Sequence, residues 1–337
     1  MPPENPRPAL SAVASFRREA GGRLLQGAFE GLAWAGQRTP RARRELSALR
    51  IERDLPYVQR AGRALGLDVY IPPGRPLGVV LYLHGGGFRI LSKDTHWIMG
   101  LLFARRGFLV FNVDYRLSPA HPYPAAMEDA CSALVWVHEN AHRWGGDPSR
   151  IVVAGESAGA NLATSLTLAT RYRRPEGFAR DLYDTEILPR AVVAQCGILE
   201  VSDTARFGRR GVSTLVRDRI EEVEDAYLGG AERHELGGVE LADPLRVLER
   251  GHAPDRPLPP FFASVGTADA LLDDTRRLAA ALGAMGVRCD AHYYPGQLHA
   301  FQALGITAAA SDHWRKTYAF LDEVLGASPG AAQKATS

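Results

Sequence analysis

Ser157 sits in the run Ala154-Gly155-Glu156-Ser157-Ala158-Gly159, with a glycine two residues to either side, directly after the β-branched stretch Ile151-Val152-Val153. A serine hydroxyl is a weak nucleophile at neutral pH. It reacts only when a base takes its proton and a third group holds that base in the right tautomer. The two glycines suit a sharp strand-to-helix turn, where a side chain would collide with the neighbouring strand or helix. The setting agrees: Arg150–Gly155 reads as a strand, and Ala160–Thr170, rich in Ala and Leu, as a helix. Nucleophilic acyl transfer is the chemistry such a serine would perform.

On a sheet of this kind the partners follow the nucleophile in the order acid, then histidine, each in a loop after a late strand. Gly266-Thr267-Ala268-Asp269 follows the predicted strand Pro260–Gly266, and Gly296-Gln297-Leu298-His299 follows the predicted strand Cys289–Tyr294. Asp269 also suits the N-cap of a helix beginning near Leu271. Asp273 and Asp274 are alternative acids, but they fall inside that predicted helix. Among the other histidines, His84, His96, His121 and His138 precede Ser157, and His292 lies within a strand. His299 lies in a loop at the correct end, with Phe301 two residues on. An oxyanion needs fixed donors. The run His84-Gly85-Gly86-Gly87 offers backbone N–H groups after a strand, and the N–H of Ala158 adds another at a helix N-terminus. No Walker lysine or Gly-x-Gly-x-x-Gly follows, which argues against a phosphate loop.

These residues need a scaffold, and the chain supplies an alternating one. Leu67–Ile71, Gly78–Leu83, Phe108–Asp114 and Ala191–Ile198 read as further strands, with helices at Trp97–Arg106, Pro124–Trp144, Asp273–Met285 and Ser311–Leu325. Near-continuous apolar strands alternating with helices predict an α/β fold with a mostly parallel sheet covered on both faces. Such sheets bind ligands beyond the carboxyl ends of their strands, where Gly85 and Ser157 fall. Residues 204–243 interrupt the alternation. That segment is charged, carries a helix with Val216, Ile220, Val223 and Tyr227 on one face, and reads as an insertion near the site. Its arginines (Arg206, Arg209, Arg210, Arg217, Arg219) suit either an anionic substrate or a solvated face answered by Glu221, Glu222, Glu224 and Asp225. The first fifty residues are helix-like, with Leu10, Val13, Phe16, Leu24, Leu25, Phe29 and Leu32 at helical spacing between arginines, a stripe expected to pack on the protein itself. The tail 327–337 is small and polar and is expected to be disordered.

Composition bounds the rest. The 337 residues are 46% hydrophobic and 23% charged, with a formal net charge of +2, which gives no reason to expect nucleic acid as a partner. Cys131, Cys196 and Cys289 are widely spaced and read as small buried apolar residues of a reducing compartment, not as a disulfide framework or metal site. No apolar run approaches a membrane span, and the N-terminus lacks a secretory pattern, so a cytoplasmic location is expected.

The combination of His84-Gly85-Gly86-Gly87, Asp114-Tyr115-Arg116-Leu117-Ser118-Pro119 running on to His121-Pro122-Tyr123-Pro124-Ala125-Ala126, and Gly155-Glu156-Ser157-Ala158-Gly159 resembles the hormone-sensitive-lipase-like branch of the α/β-hydrolases. The resemblance covers roughly residues 65 to 325. It implies an eight-stranded, mostly parallel sheet with a helical cap. The cap would be built from residues 1–50 and an insertion at 201–245, on a catalytic domain formed by 51–200 and 246–326. It implies Ser157 as nucleophile, Asp269 as orienting acid, His299 as base, and the N–H groups of Gly86, Gly87 and Ala158 as the oxyanion hole. The implied activity is hydrolysis of short- to medium-chain carboxylic esters, with no cofactor or metal. Amidases, deacetylases, acyltransferases and non-catalytic small-molecule receptors share this fold. The resemblance admits a homodimer through the sheet edge. Three positions depart from the family pattern: Glu156 for the commoner Asp, Ala160 for a second glycine, and Ala270 where Pro often follows the acid.

Overall fold

The structure is a computed structural model that describes residues 12–60, 62–210, 214–229, 239–304 and 307–326. Eight strands run β1 Arg50–Arg60, β2 Arg63–Ile71, β3 Val79–Leu83, β4 Leu109–Val113, β5 Ile151–Glu156, β6 Ala191–Gln195, β7 Phe261–Gly266 and β8 Cys289–Tyr294. The helices are α1 Ala12–Gln37, α2 Pro40–Ser47, α3 Trp97–Arg105, α4 Ala125–Asn140, α5 Ala158–Arg171, α6 Gly177–Asp184, α7 Thr214–Tyr227, α8 Pro244–Glu249, α9 Leu272–Ala284 and α10 Ala308–Leu325.

The strands form one sheet in the order β1-β2-β4-β3-β5-β6-β7-β8. Strands β1 and β2 are antiparallel to their neighbours, and the pairs from β4 to β8 are parallel. Period-two alternation divides the core between the two faces. Val79, Leu81 and Leu83 pack on one side with Met127, Leu134, Leu166 and Leu278 from α4, α5 and α9. Val80 and Tyr82 pack on the other with Phe103, Trp314 and Leu321 from α3 and α10. Burial on both faces is why the central strands read as continuous apolar runs.

The alternating elements expected from the sequence are present, with ends shifted by a few residues. The helix expected over 124–144 ends at Asn140 and continues as a 3-10 turn over Ala141–Trp144. Strand β6 stops at Gln195, three residues earlier than expected, because the chain turns at Cys196 (φ 40°) to pass over the site. Strand β1 carried no such signal. Its sequence is charged and contains Pro56, its residues apart from Tyr57 are exposed or only partly buried, and it pairs on one side only. An edge strand tolerates both features.

The described residues between β6 and β7 form α7, α8 and two 3-10 turns. Helix α7 docks on the main body at named points. Tyr227 stacks on Phe88 with ring centroids 3.7 Å apart, and its carbonyl accepts from the N–H of Tyr123 at 2.7 Å. Helix α1 lies against α7: a Cβ built on Gly21 would come within 3.3 Å of the Arg219 guanidinium. Helices α1 and α2 also cover Trp97 and Leu101 of α3 with Ala33 and Leu46. The expectations for residues 1–11, for the side chains of Val13 and Phe16, and for the tail 327–337 lie outside the described residues; of the stripe expected to pack on the protein, Leu24, Phe29 and Leu32 are instead exposed. Among the described residues no helix is long and apolar enough to cross a membrane.

Candidate active site

Strand β5 delivers Ser157 at its carboxyl end, in the turn to α5. The serine has φ 55° and ψ −115°, a left-handed conformation that costs a non-glycine residue about 1–3 kcal/mol. Surrounding contacts hold it: its N–H donates to the Gln195 carbonyl at 2.9 Å, and its carbonyl accepts from Ala160 and Asn161. The flanking glycines answer to close approach. A Cβ on Gly155 would lie 2.2 Å from the Gly159 oxygen, and one on Gly159 would lie 2.0 Å from the Leu83 oxygen. Gly159→Ala is therefore expected to destabilise the fold by about 3 kcal/mol. A urea midpoint equal to that of the parent protein would refute so tight a fit.

Asp269 follows β7 and is buried; His299 follows β8, with 42% of its side chain open to solvent. One Asp269 oxygen (Oδ2) lies 2.8 Å from His299 Nδ1, and the other (Oδ1) accepts from the N–H of Leu271 at 2.9 Å. Asp269 is not the N-cap expected of it: Leu271 holds that position without a side-chain cap bond, and Oδ1 of Asp269 instead closes a turn onto the Leu271 N–H. Asp274, the alternative acid, is occupied elsewhere: it holds Arg206 through both oxygens and accepts from the N–H of Leu199. Asp273 pairs with Arg276 on the exposed face of α9. Among the described residues no hydrogen bond joins the Ser157 hydroxyl, which is half-buried, to the imidazole. Such bonds often close only once substrate is seated.

Burial works against the imidazolium of His299. The Cys196 sulfur and the Asp269 carboxylate more than offset it, so the pKa stands well above the ordinary 6.5. The Cys196 thiol is itself held above its ordinary range by burial.

The loop after β3 supplies the donors. Gly86 and Gly87 take positive φ, and among the hydrogen bonds of the described residues none engages the N–H of Gly86, Gly87 or Ala158. Three backbone donors left unspent beside a helix N-terminus can receive developing negative charge. His84 braces this loop from beneath. It is buried, stacks on Tyr115 at 4.2 Å, and bonds the Gly85 carbonyl through Nδ1 at 2.7 Å. Burial drops its pKa to about 3, so it stays neutral. The run from Asp114 is structural: Arg116 pairs with Asp129 and Glu128, and Asp114 Oδ1 accepts from the N–H of Lys93 at 2.7 Å.

Sequence reasoning missed four contributors. Glu156 is buried and ties three loops together: Gln302 Nε2 donates to it at 2.8 Å, and His96, which accepts from the N–H of Gly85, lies 3.6 Å away. Burial alone would raise its pKa, but His96, His299 and Gln302 overturn that and hold it low. Cys196 lies against His299 and Asp269. Val223 of α7 sits over Gly87, where an added Cβ would come within 2.6 Å of it, and Arg89 pairs with Glu222 of the same helix. The available signal was position: Cys196 and Glu156 end adjacent strands on the edge where ligands bind. Of the insertion's arginines, Arg206 is spent on Asp274, while Arg217 and Arg219 pair with Glu221 and Glu222.

Residues 80–303 match the family described as alpha/beta hydrolase fold. The carboxylesterase NlhH of Mycobacterium tuberculosis is 34% identical over 272 residues, 76% of this chain and 80% of that protein. The acetyl esterase of Salmonella schwarzengrund is 31% identical over 236 residues, 69% of this chain and 68% of that protein. The crystal structure of an esterase from the bacterial hormone-sensitive lipase family superposes with a TM-score of 0.70 at 26% identity, covering 95% of this chain and 100% of that one.

Proposed function

We propose that this chain, which belongs to the α/β-hydrolase family, is a carboxylic-ester hydrolase of the hormone-sensitive-lipase-like branch that works through an acyl-enzyme on Ser157. His299 takes the proton of the Ser157 hydroxyl as the oxygen attacks the ester carbonyl. Asp269 holds the Nδ1–H tautomer and stabilises the imidazolium that forms. The oxyanion rests on the N–H groups of Gly86, Gly87 and Ala158. His299 then returns its proton to the leaving alcohol. Water, activated by the same imidazole, releases the acid. No cofactor or metal takes part in these steps.

The observation that carries this proposal is the bonded Asp269–His299 pair, presented on the same sheet edge as a strained serine and three unspent N–H groups. Residues 1–50 and 201–245 would form the cap. Its helix α7 crowds the oxyanion loop through Val223 and Tyr227, which supports short to medium acyl chains. The chain's free cysteines support a reducing, cytoplasmic setting. A p-nitrophenyl ester series from acetate to palmitate tests the substrate class. Specificity for the short esters should exceed that for palmitate by at least about tenfold. A preference for palmitate would overturn the assignment of acyl length, and failure of a fluorophosphonate probe to label Ser157 would overturn the mechanism.

A further inference from the structure

Cys196 has no part in the reaction just described, yet it sits within its machinery. It follows β6, the strand next to the one that carries Ser157, and its side chain is almost wholly buried. Its Sγ, a carboxylate oxygen of Asp269 and a ring nitrogen of His299 all lie within 4.8 Å of one another. His299 leaves the group open to solvent on one side. Among the described residues this is the one group of three His, Cys, Asp or Glu side chains so disposed.

One thiolate, one imidazole and one carboxylate, with a fourth direction free, make a zinc-type donor set. Ligand atoms about 2.0–2.3 Å from a tetrahedral metal stand roughly 3.2–3.8 Å from each other. The separations here, none above 4.8 Å, exceed that spacing by about an ångström at most. Sulfur and imidazole donors favour Zn²⁺ over Mg²⁺ or Ca²⁺, which take oxygen ligands.

We propose that Cys196, Asp269 and His299 form an inhibitory zinc site, in which the metal removes the base from the esterase reaction. Only the inhibition rests on the function proposed above; the binding does not. On binding, the Cys196 S–H bond breaks, its proton passes to water and an S–Zn bond forms. The imidazole gives a lone pair, so its imidazolium form first loses the extra proton to water. Zinc takes the lone pair of Nδ1, the nitrogen that faces Asp269 Oδ2 at 2.8 Å. With zinc there, the remaining ring proton lies on Nε2, which then offers Ser157 no lone pair. The imidazole then cannot accept the serine proton. Binding displaces a thiol proton and therefore tightens as pH rises.

The test is a ZnCl₂ titration of the full chain, followed by calorimetry and by p-nitrophenyl acetate hydrolysis, on the wild type, Cys196→Ala and Cys196→Ser. One zinc should bind per chain, hydrolysis should fall with the same midpoint, and EDTA should restore it. Outer-shell partners of a zinc site are worth about 10–100-fold in affinity, so losing a direct ligand should weaken both readouts at least about tenfold. MgCl₂ should change neither. Co²⁺ should give a near-ultraviolet thiolate-to-metal absorption that Cys196→Ser abolishes, which keeps the proposal testable if the alanine variant does not fold. Equal zinc affinity in the wild type and Cys196→Ser would overturn the site. Zinc binding that depends on Cys196 but leaves hydrolysis untouched would uphold the site and overturn His299 as the base.

Discussion

Replacing Ser157 by alanine is expected to lower kcat for p-nitrophenyl acetate by about 10⁴-fold or more. The hydroxyl is the atom that becomes covalently bound, and no other group described at the site offers a substitute. Cys196 is buried with its pKa raised, so it supplies little thiolate near neutrality. A remnant of catalysis should persist, because the N–H groups of Gly86, Gly87 and Ala158 still polarise a bound carbonyl. The fold should survive. The hydroxyl makes no hydrogen bond that holds the turn; the backbone bonds of Ser157 to Gln195, Ala160 and Asn161 do that, and alanine keeps them. Far-ultraviolet circular dichroism and the melting temperature should match the parent while activity collapses. A variant that kept a tenth of the parent's turnover would remove Ser157 from the mechanism.

Asp269→Asn is expected to cost about 10⁴-fold in kcat, almost as much, although it changes one atom. The carboxylate has two duties, accepting from the Leu271 N–H through Oδ1 and facing His299 Nδ1 through Oδ2. An amide has one oxygen. If that oxygen keeps the Leu271 N–H, the NH₂ group faces Nδ1 and forces the ring proton onto Nε2, the tautomer that cannot take a proton from Ser157. The pH profile separates this effect from general damage. In the wild type Asp269 helps hold the imidazole pKa above 6.5, so kcat/KM should rise with pH through a midpoint above that value and fall away in acid. Without the negative charge, burial acts with less opposition, and the acid limb of the residual activity should move to lower pH. A limb that stayed in place would mean that Asp269 does not govern His299.

Much of this protein is legible in the residues because the physics involved is local. Gly155 and Gly159 announce a turn too tight for a Cβ, and the strand and helix on either side follow from apolar runs and spacing. The order Ser157, Asp269, His299 then follows from a parallel sheet presenting its loops on one edge. Other features left no local mark. Strand β1 is stabilised by an edge pairing that its charged sequence does not advertise. Glu156 looked like a departure from pattern, but in the fold it joins the loops of Gly85, Ser157 and Gln302.

Residue pattern alone points to the apolar strands from β2 to β8, the nucleophile turn and the three side chains most suited to acyl transfer, because apolar runs, glycine spacing and chain order are written locally. The folded chain sets which contacts join them. Asp269 divides its oxygens between the Leu271 N–H and His299, α7 closes over Gly87 through Val223, and Cys196 comes within reach of the imidazole. The last two link residues far apart in the chain, so composition and spacing carry no trace of them. They exist because β5, β6, β7 and β8 are neighbours in the sheet and end on a common edge.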